Sequence, residues 1–131
     1  MKKIIPVVAA VISNKSQILC VQKPKHKYEY ISEKFEFPGG KIELGETEED
    51  ALKREILEEL DLKIVMLEKF LVVDHSYPDF RIKMSSYLCH SENREISLNE
   101  HISHKWIFKS ELENLNWAAA DIPIVDKLRD T

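Results

Sequence analysis

Apolar residues are unevenly textured along this chain. Residues 3–13 and 17–23 are two nearly unbroken apolar runs joined by Asn14-Lys15, which predicts two buried strands in a hairpin. Residues 24–34, PKHKYEYISEK, mix charge with tyrosine and read as a loop, followed by a brief extended piece at Phe35–Phe37. Residues 64–75 and 80–90 are again strand-like, with the turn signal Ser76-Tyr77-Pro78-Asp79 between them. A polar loop over 91–104 precedes a short strand around Trp106-Ile107-Phe108. From Asp121 onward, Ile122, Ile124, Val125 and Leu128 recur at helical spacing.

The clearest helix lies at 48–60. Thr47 is a good cap, and Asp50 three residues on completes a capping-box pattern. At about 100° per residue, Leu52, Ile56, Leu57 and Leu60 share a core-facing side, with Glu48, Glu55, Glu58 and Glu59 gathered opposite. Strands and helices in this order predict a mixed α/β domain.

Composition narrows the setting. The 131 residues are 44% hydrophobic and 32% charged, as expected of one globular domain over 1–131. Cys20 and Cys89 each sit inside an apolar run and build no disulfide framework, which predicts a reduced, cytoplasmic setting. The start, MKKIIPVVAAVIS, imitates a leader, but its short apolar run contains Pro6 and leads straight into the next strand. No stretch approaches the roughly 20 apolar residues of a membrane-spanning helix.

Charge and glycine single out one region. Residues 43–61 carry nine acids against Lys53 and Arg54, within a net charge of −4, so the rest of the chain is mildly basic. One acidic patch on such a chain argues against nucleic-acid or membrane partners and suits a metal beside an anionic ligand. Average usage would give about nine glycines. This chain has three, Gly39, Gly40 and Gly45, all at the entrance to the acidic helix.

A solvated acidic face is the ordinary explanation of such a helix. Here Glu55 has like charges three and four residues on, each pair costing about 0.2–0.5 kcal/mol. Glu58 and Glu59 also occupy the last turn, where the helix dipole favours cations. Repulsion of this kind suggests a compensating ion, and clustered carboxylates suit Mg²⁺ or Mn²⁺.

The string GKIELGETEEDALKREILEELDL at 40–62 resembles the Nudix box, G-x5-E-x7-R-E-U-x-E-E-x-G-U, with U a bulky aliphatic residue. Gly40, Glu46, Arg54, Glu55, Ile56, Glu58, Glu59 and Leu62 match in register. Asp61 stands where the pattern has glycine; a left-handed conformation is expected there, which Asp tolerates. EFPGGKIELGE at 36–46 is similar to the MutT-type enzymes, and AADIPIVDKL at 119–128 to the CTP pyrophosphohydrolase branch.

The resemblance implies an α/β/α sandwich with a mixed sheet between helices. It also implies hydrolysis of (d)NTPs to a nucleoside monophosphate and pyrophosphate by a monomer or homodimer. Carried over by position, Glu55, Glu58 and Glu59 would hold the metal with the Gly39 carbonyl. Glu46 would contribute to the site, and Arg54 would orient the glutamates by an ion pair. The MutT-type glutamate before the last strand aligns with Glu100, six residues ahead of Trp106.

Lys23 and Lys41 are candidates for phosphate contacts, and Trp117 and Tyr30 for stacking on a base. No histidine has zinc spacing with a cysteine, though His101 and His104 flank a loop that belongs near a substrate. Asp121 stands where enzymes preferring 8-oxoguanine carry asparagine. An ionised carboxylate only accepts, which suits the cytosine amino group and favours CTP or dCTP over 8-oxo-dGTP. Asp121 is equally a natural cap for the last helix, with Pro123 in its first turn. A nucleotide-binding module without catalysis would be free to lose the glutamates, which are intact.

Overall fold

The computed structural model describes residues 2–131; Met1, at the head of the basic start, lies outside the described residues. In chain order the elements are β1 (Ile4–Asn14), β2 (Gln17–Gln22), β3 (Phe35–Glu36), β4 (Gly39–Lys41), α1 (Glu48–Leu60), β5 (Val65–Ser76), β6 (Arg81–His90), β7 (Ser103–Ile107) and α2 (Ile122–Arg129). The sheet runs β3-β2-β1-β6-β5, with β4 added to β1 and β7 to β2. β1 and β6 are parallel and the other strand pairs antiparallel, so the sheet is mixed.

Alternation along β1 divides the core into two layers. Val8, Ala10 and Ile12 point to α1 and pack with Leu19, Val21, Leu52, Ile56 and Leu60. Ala9 and Val11 point the other way, to Leu112, Trp117, Ile124, Val125 and Leu128. A helix covers each face, which is the α/β/α sandwich.

Pro38-Gly39-Gly40 is not all loop, because Gly39–Lys41 pairs with Val7–Ala9 of β1. A Cβ on Gly39 would stand 1.9 Å from the Val8 carbonyl oxygen, so the demand there is for close approach. Only Gly45 of the three has a positive φ, at 87°. The last strand starts earlier than its apolar residues, since Ser103–Ile107 pairs with the whole of Ile18–Gln22, and Phe108 leaves it for a 3-10 turn at 109–114.

Helix α1 also differs in detail from its wheel. Leu57 is 48% exposed, while Glu59, at 4%, takes a place among the buried residues. Glu48 turns to β5 and β6, where Lys69, Ser85 and Tyr87 hydrogen-bond its carboxylate. The caps behave as expected: the Asp50 N–H donates to Thr47 Oγ1 at 3.1 Å, and Asp61 is left-handed at φ 53°. Cys20 and Cys89 are buried and unpaired, and burial pushes both thiols up to about 12. Among the described residues, no helix is long and apolar enough to cross a membrane.

Candidate active site

A cleft of about 610 Å³ opens between the β1–β4 pair, the 24–34 loop and the turn after β5. Glu55 and Glu59 of α1, Glu100, Gly39, Lys23, Lys41 and Asp121 all line it. Seven of the expected site residues therefore converge, from five separate stretches of chain.

Arg54 organises the helix side. Its Nε and Nη2 donate to the two oxygens of Glu46 at 2.7 and 2.9 Å, and its Nη1 reaches Glu55 at 3.0 Å and Glu58 at 3.3 Å. The Arg54 hydrogen bonds, helped by the Glu43 N–H, hold the Glu46 carboxyl down at about 2. Glu46 thus belongs to Arg54, and like Glu58 it lies outside the residues that line the cleft. Glu58 is exposed at the helix end and reaches toward the same arginine.

Glu59 is the buried member of the trio. Burial raises its pKa well above the carboxylate range, with the charges of Glu100, Glu36 and Glu55 adding to that rise. Its Oε1 is buried without a hydrogen-bond partner. Next to it, His101 has a side chain only 1% exposed, with Nε2 2.9 Å from Glu36 Oε2 and 3.9 Å from Glu59 Oε2. Lys23 Nζ approaches Glu36 at 3.7 Å.

A divalent cation fits this donor set. The clustered groups are hard carboxylate oxygens, and one of them, Glu59 Oε1, is buried and unpaired. Gly40 keeps the space over Glu55 open, since a Cβ there would meet the Glu55 carboxylate at 2.4 Å. Among the described residues no three such groups are already drawn together as a metal cage. Arg54 holds one oxygen each of Glu55 and Glu58, Oε1 and Oε2 respectively, and leaves the other oxygen of each carboxylate to an ion.

Elsewhere in the cleft lining, the Phe37 N–H donates to Asp121 Oδ1 at 3.0 Å. Asp121 makes no side-chain cap for α2, so the capping role expected of it is not what the structure holds. Burial, then the Glu36 charge, raises its pKa well above the usual range. Tyr28, Tyr77 and Phe80 wall the cleft nearby. Tyr30 stacks on Tyr77 at 5.3 Å and donates to Asp79 at 2.6 Å. Trp117 is committed to the core against Phe37, with its Nε1 on the Leu112 carbonyl.

Sequence reasoning missed Glu36 and the buried role of His101. A charged residue between two buried aromatics, Phe35 and Phe37, is the signal that marks Glu36. His104 lies exposed on β7, beside a different surface hollow with Asp61 and Arg94.

The NUDIX domain model matches residues 7–127. The chain belongs to the Nudix family. It is a Nudix hydrolase. An 8-oxo-dGTP diphosphatase of Buchnera aphidicola subsp. Schizaphis graminum is 31% identical over 123 residues, covering 94% of this chain and 92% of that one. The CTP pyrophosphohydrolase of Escherichia coli K12 is 29% identical over 124 residues, covering 95% and 90%. The NMR structure of a MutT protein from methicillin-resistant Staphylococcus aureus 252 is 40% identical, with TM-score 0.75 over 98% of this chain and 97% of that one.

Proposed function

We propose that this Nudix hydrolase cleaves nucleoside triphosphates to the nucleoside monophosphate and pyrophosphate, with Mg²⁺ or Mn²⁺ as cofactor and 8-oxo-dGTP as its preferred substrate. The observation that carries the reading is that Glu55, Glu59 and Glu100 share one cleft with Asp121. The carboxylates suit a metal-bound polyphosphate, and the buried Asp121 suits a base.

A bound divalent ion supplies charge neutralisation for the phosphate oxygens and a more acidic water. Glu55, Glu58 and Glu59 would hold it, joined by Glu100 and the Gly39 carbonyl. Arg54, gripped by Glu46, would keep Glu55 and Glu58 aimed through its ion pairs with them. Lys23 and Lys41, on the cleft wall, would meet phosphate oxygens as point charges.

The base preference follows from the proton on Asp121. Oδ1 already accepts the Phe37 N–H, so a neutral Asp121 offers its Oδ2 hydroxyl as a donor. A donor suits the keto oxygen of guanine or 8-oxoguanine, in keeping with the relatives named 8-oxo-dGTP diphosphatase. A second reading, CTP or dCTP, draws on the relative named CTP pyrophosphohydrolase and on Asp121 in its ionised, accepting form.

Pyrophosphate release from 8-oxo-dGTP, dGTP, CTP, dCTP and UTP, with Mg²⁺ and with EDTA, tests this. The expected result is the highest kcat/KM for 8-oxo-dGTP and no turnover in EDTA. Equal rates on all five would sink the base assignment, and no pyrophosphate from any would sink the activity.

A further inference from the structure

The last turn of α1 is electrostatically awkward. It contains Glu58 and Glu59 and no basic residue, and the helix's own offset is Arg54, one turn back, which reaches Glu58 but not Glu59. The structure meets that end with the 97–101 segment. The Ser97 N–H donates to the Leu60 carbonyl at 2.9 Å and the Asn99 N–H to the Glu59 carbonyl at 3.0 Å. Asn99 adds a second hook, its Nδ2 donating to the Glu58 carbonyl at 2.9 Å.

The same strap is bolted at its far end. His101, buried, reaches Glu36 on β3 at 2.9 Å, and the Ile102 N–H donates to the Gln22 carbonyl on β2 at 3.0 Å. Glu100 lies between the two sets of bolts. It is exposed, lines the cleft, and among the described residues its carboxylate makes no hydrogen bond of its own. Nothing local aims Glu100; only its neighbours in the strap do.

We propose that Asn99 is a positioning residue for hydrolysis: by hooking the Glu58 and Glu59 carbonyls, it sets Glu100 beside Glu59 in the cleft. The inference rests on the reading of Glu100 as part of the metal site. It assigns Asn99 no contact with substrate. Its side chain is short enough to offer an N–H to a carbonyl while its own backbone N–H takes the next one, and alanine keeps only the second bond.

The test compares Asn99→Ala, Glu100→Gln and the double variant, reading both Mn²⁺ affinity without substrate and kcat on 8-oxo-dGTP. Each single change is expected to weaken Mn²⁺ binding and lower kcat by about 10-fold, the scale of losing a group that orients a ligand. KM should stay within about twofold, because the lost group touches no substrate. The double variant should be no worse than Glu100→Gln alone, since Asn99 acts through Glu100. Independent, multiplying losses would mean that Asn99 only caps the helix, and wild-type Mn²⁺ affinity in Asn99→Ala would overturn the proposal outright. Should wild type hydrolyse none of the nucleotides, the activity falls while the Mn²⁺ cycle still judges the strap. If Asn99→Ala proves poorly folded, Asn99→Ser, which can retain a short donor, is expected to recover part of the Mn²⁺ affinity; no recovery in a folded Ser variant counts against the proposal.

Discussion

Arg54 and Glu46 form a two-point ion pair, Nε to Oε2 at 2.7 Å and Nη2 to Oε1 at 2.9 Å. The planar fork fits both carboxylate oxygens and still leaves Nη1 for Glu55 and Glu58. Repulsion between Glu55 and Glu58, expected from spacing alone, is therefore relieved by one guanidinium, while Glu59 still feels the Glu55 charge.

Arg54→Lys is expected to lose this arrangement, because an ammonium cannot bind a carboxylate in a fork. We expect kcat to fall by about 10- to 100-fold, with a lower Tm in EDTA. Glu58→Gln is the contrasting variant: Glu58 is exposed, so the Tm in EDTA should barely move while turnover falls by orders of magnitude. A Glu58→Gln enzyme near full rate with Mg²⁺ would remove Glu58 from the site.

Glu59 gives a stability signature that can be read without substrate. Its folded-state pKa lies above the ordinary carboxylate value, by burial and then by Glu100 and Glu36. Between the ordinary value and the raised one, the folded protein binds one more proton than the unfolded chain. Metal-free stability should therefore fall as pH rises through that window, by at most about 1.4 kcal/mol per pH unit from this group. Glu59→Gln should flatten the slope and raise the metal-free Tm at pH 8. Saturating Mg²⁺ should oppose the slope in wild type, since binding favours the carboxylate. Thermal melts from pH 5 to 9 with EDTA or Mg²⁺ decide it; parallel slopes in wild type and Glu59→Gln would contradict the buried acid.

Much of this site was legible in the residues. Thr47, the left-handed Asp61 and the apolar stripe fixed α1, and of its like charges Glu55 and Glu59 do line the cleft. Leu57 and Glu48 escaped the wheel because both lie near its boundary, where β5 and β6 decide what is covered. β4 escaped because a strand of Gly39, Gly40 and Lys41 has no side-chain pattern; it exists through pairing with β1. Glu36 and His101 meet across 65 positions, a pairing that no local spacing encodes.

The two cleft glycines should fail in different ways. In Gly39→Ala the new Cβ meets the Val8 backbone oxygen at 1.9 Å, so the β1–β4 pair itself must shift. We expect a loss of about 1–3 kcal/mol, the range of overpacked sites. In Gly40→Ala the clash is with the flexible end of Glu55, at 2.4 Å, which can move aside. Stability should hold while kcat falls, because the displaced carboxylate is one we assign to the metal. Urea melts alongside turnover separate the two, and equal stability losses would show that Gly40 is also a backbone constraint.

Asp121→Asn tests which chemistry reads the base. The amide oxygen of asparagine can still accept the Phe37 N–H, so the variant keeps the contact that holds the side chain. What changes is titration: asparagine donates at every pH, whereas Asp121 donates only while its proton remains. Burial and Glu36 keep that proton bound well above the usual range. At neutral pH the variant should therefore retain the wild-type preference for a keto-bearing base. As pH rises and Asp121 ionises, the wild-type ratio of kcat/KM for CTP over 8-oxo-dGTP should climb, toward the about 1–3 kcal/mol of a good base contact. The asparagine enzyme, measured at the same pH on the same two substrates, should show a smaller climb because only titration of the substrates remains. Identical profiles for the two proteins would leave Asp121 as no more than the anchor of the Phe37 N–H.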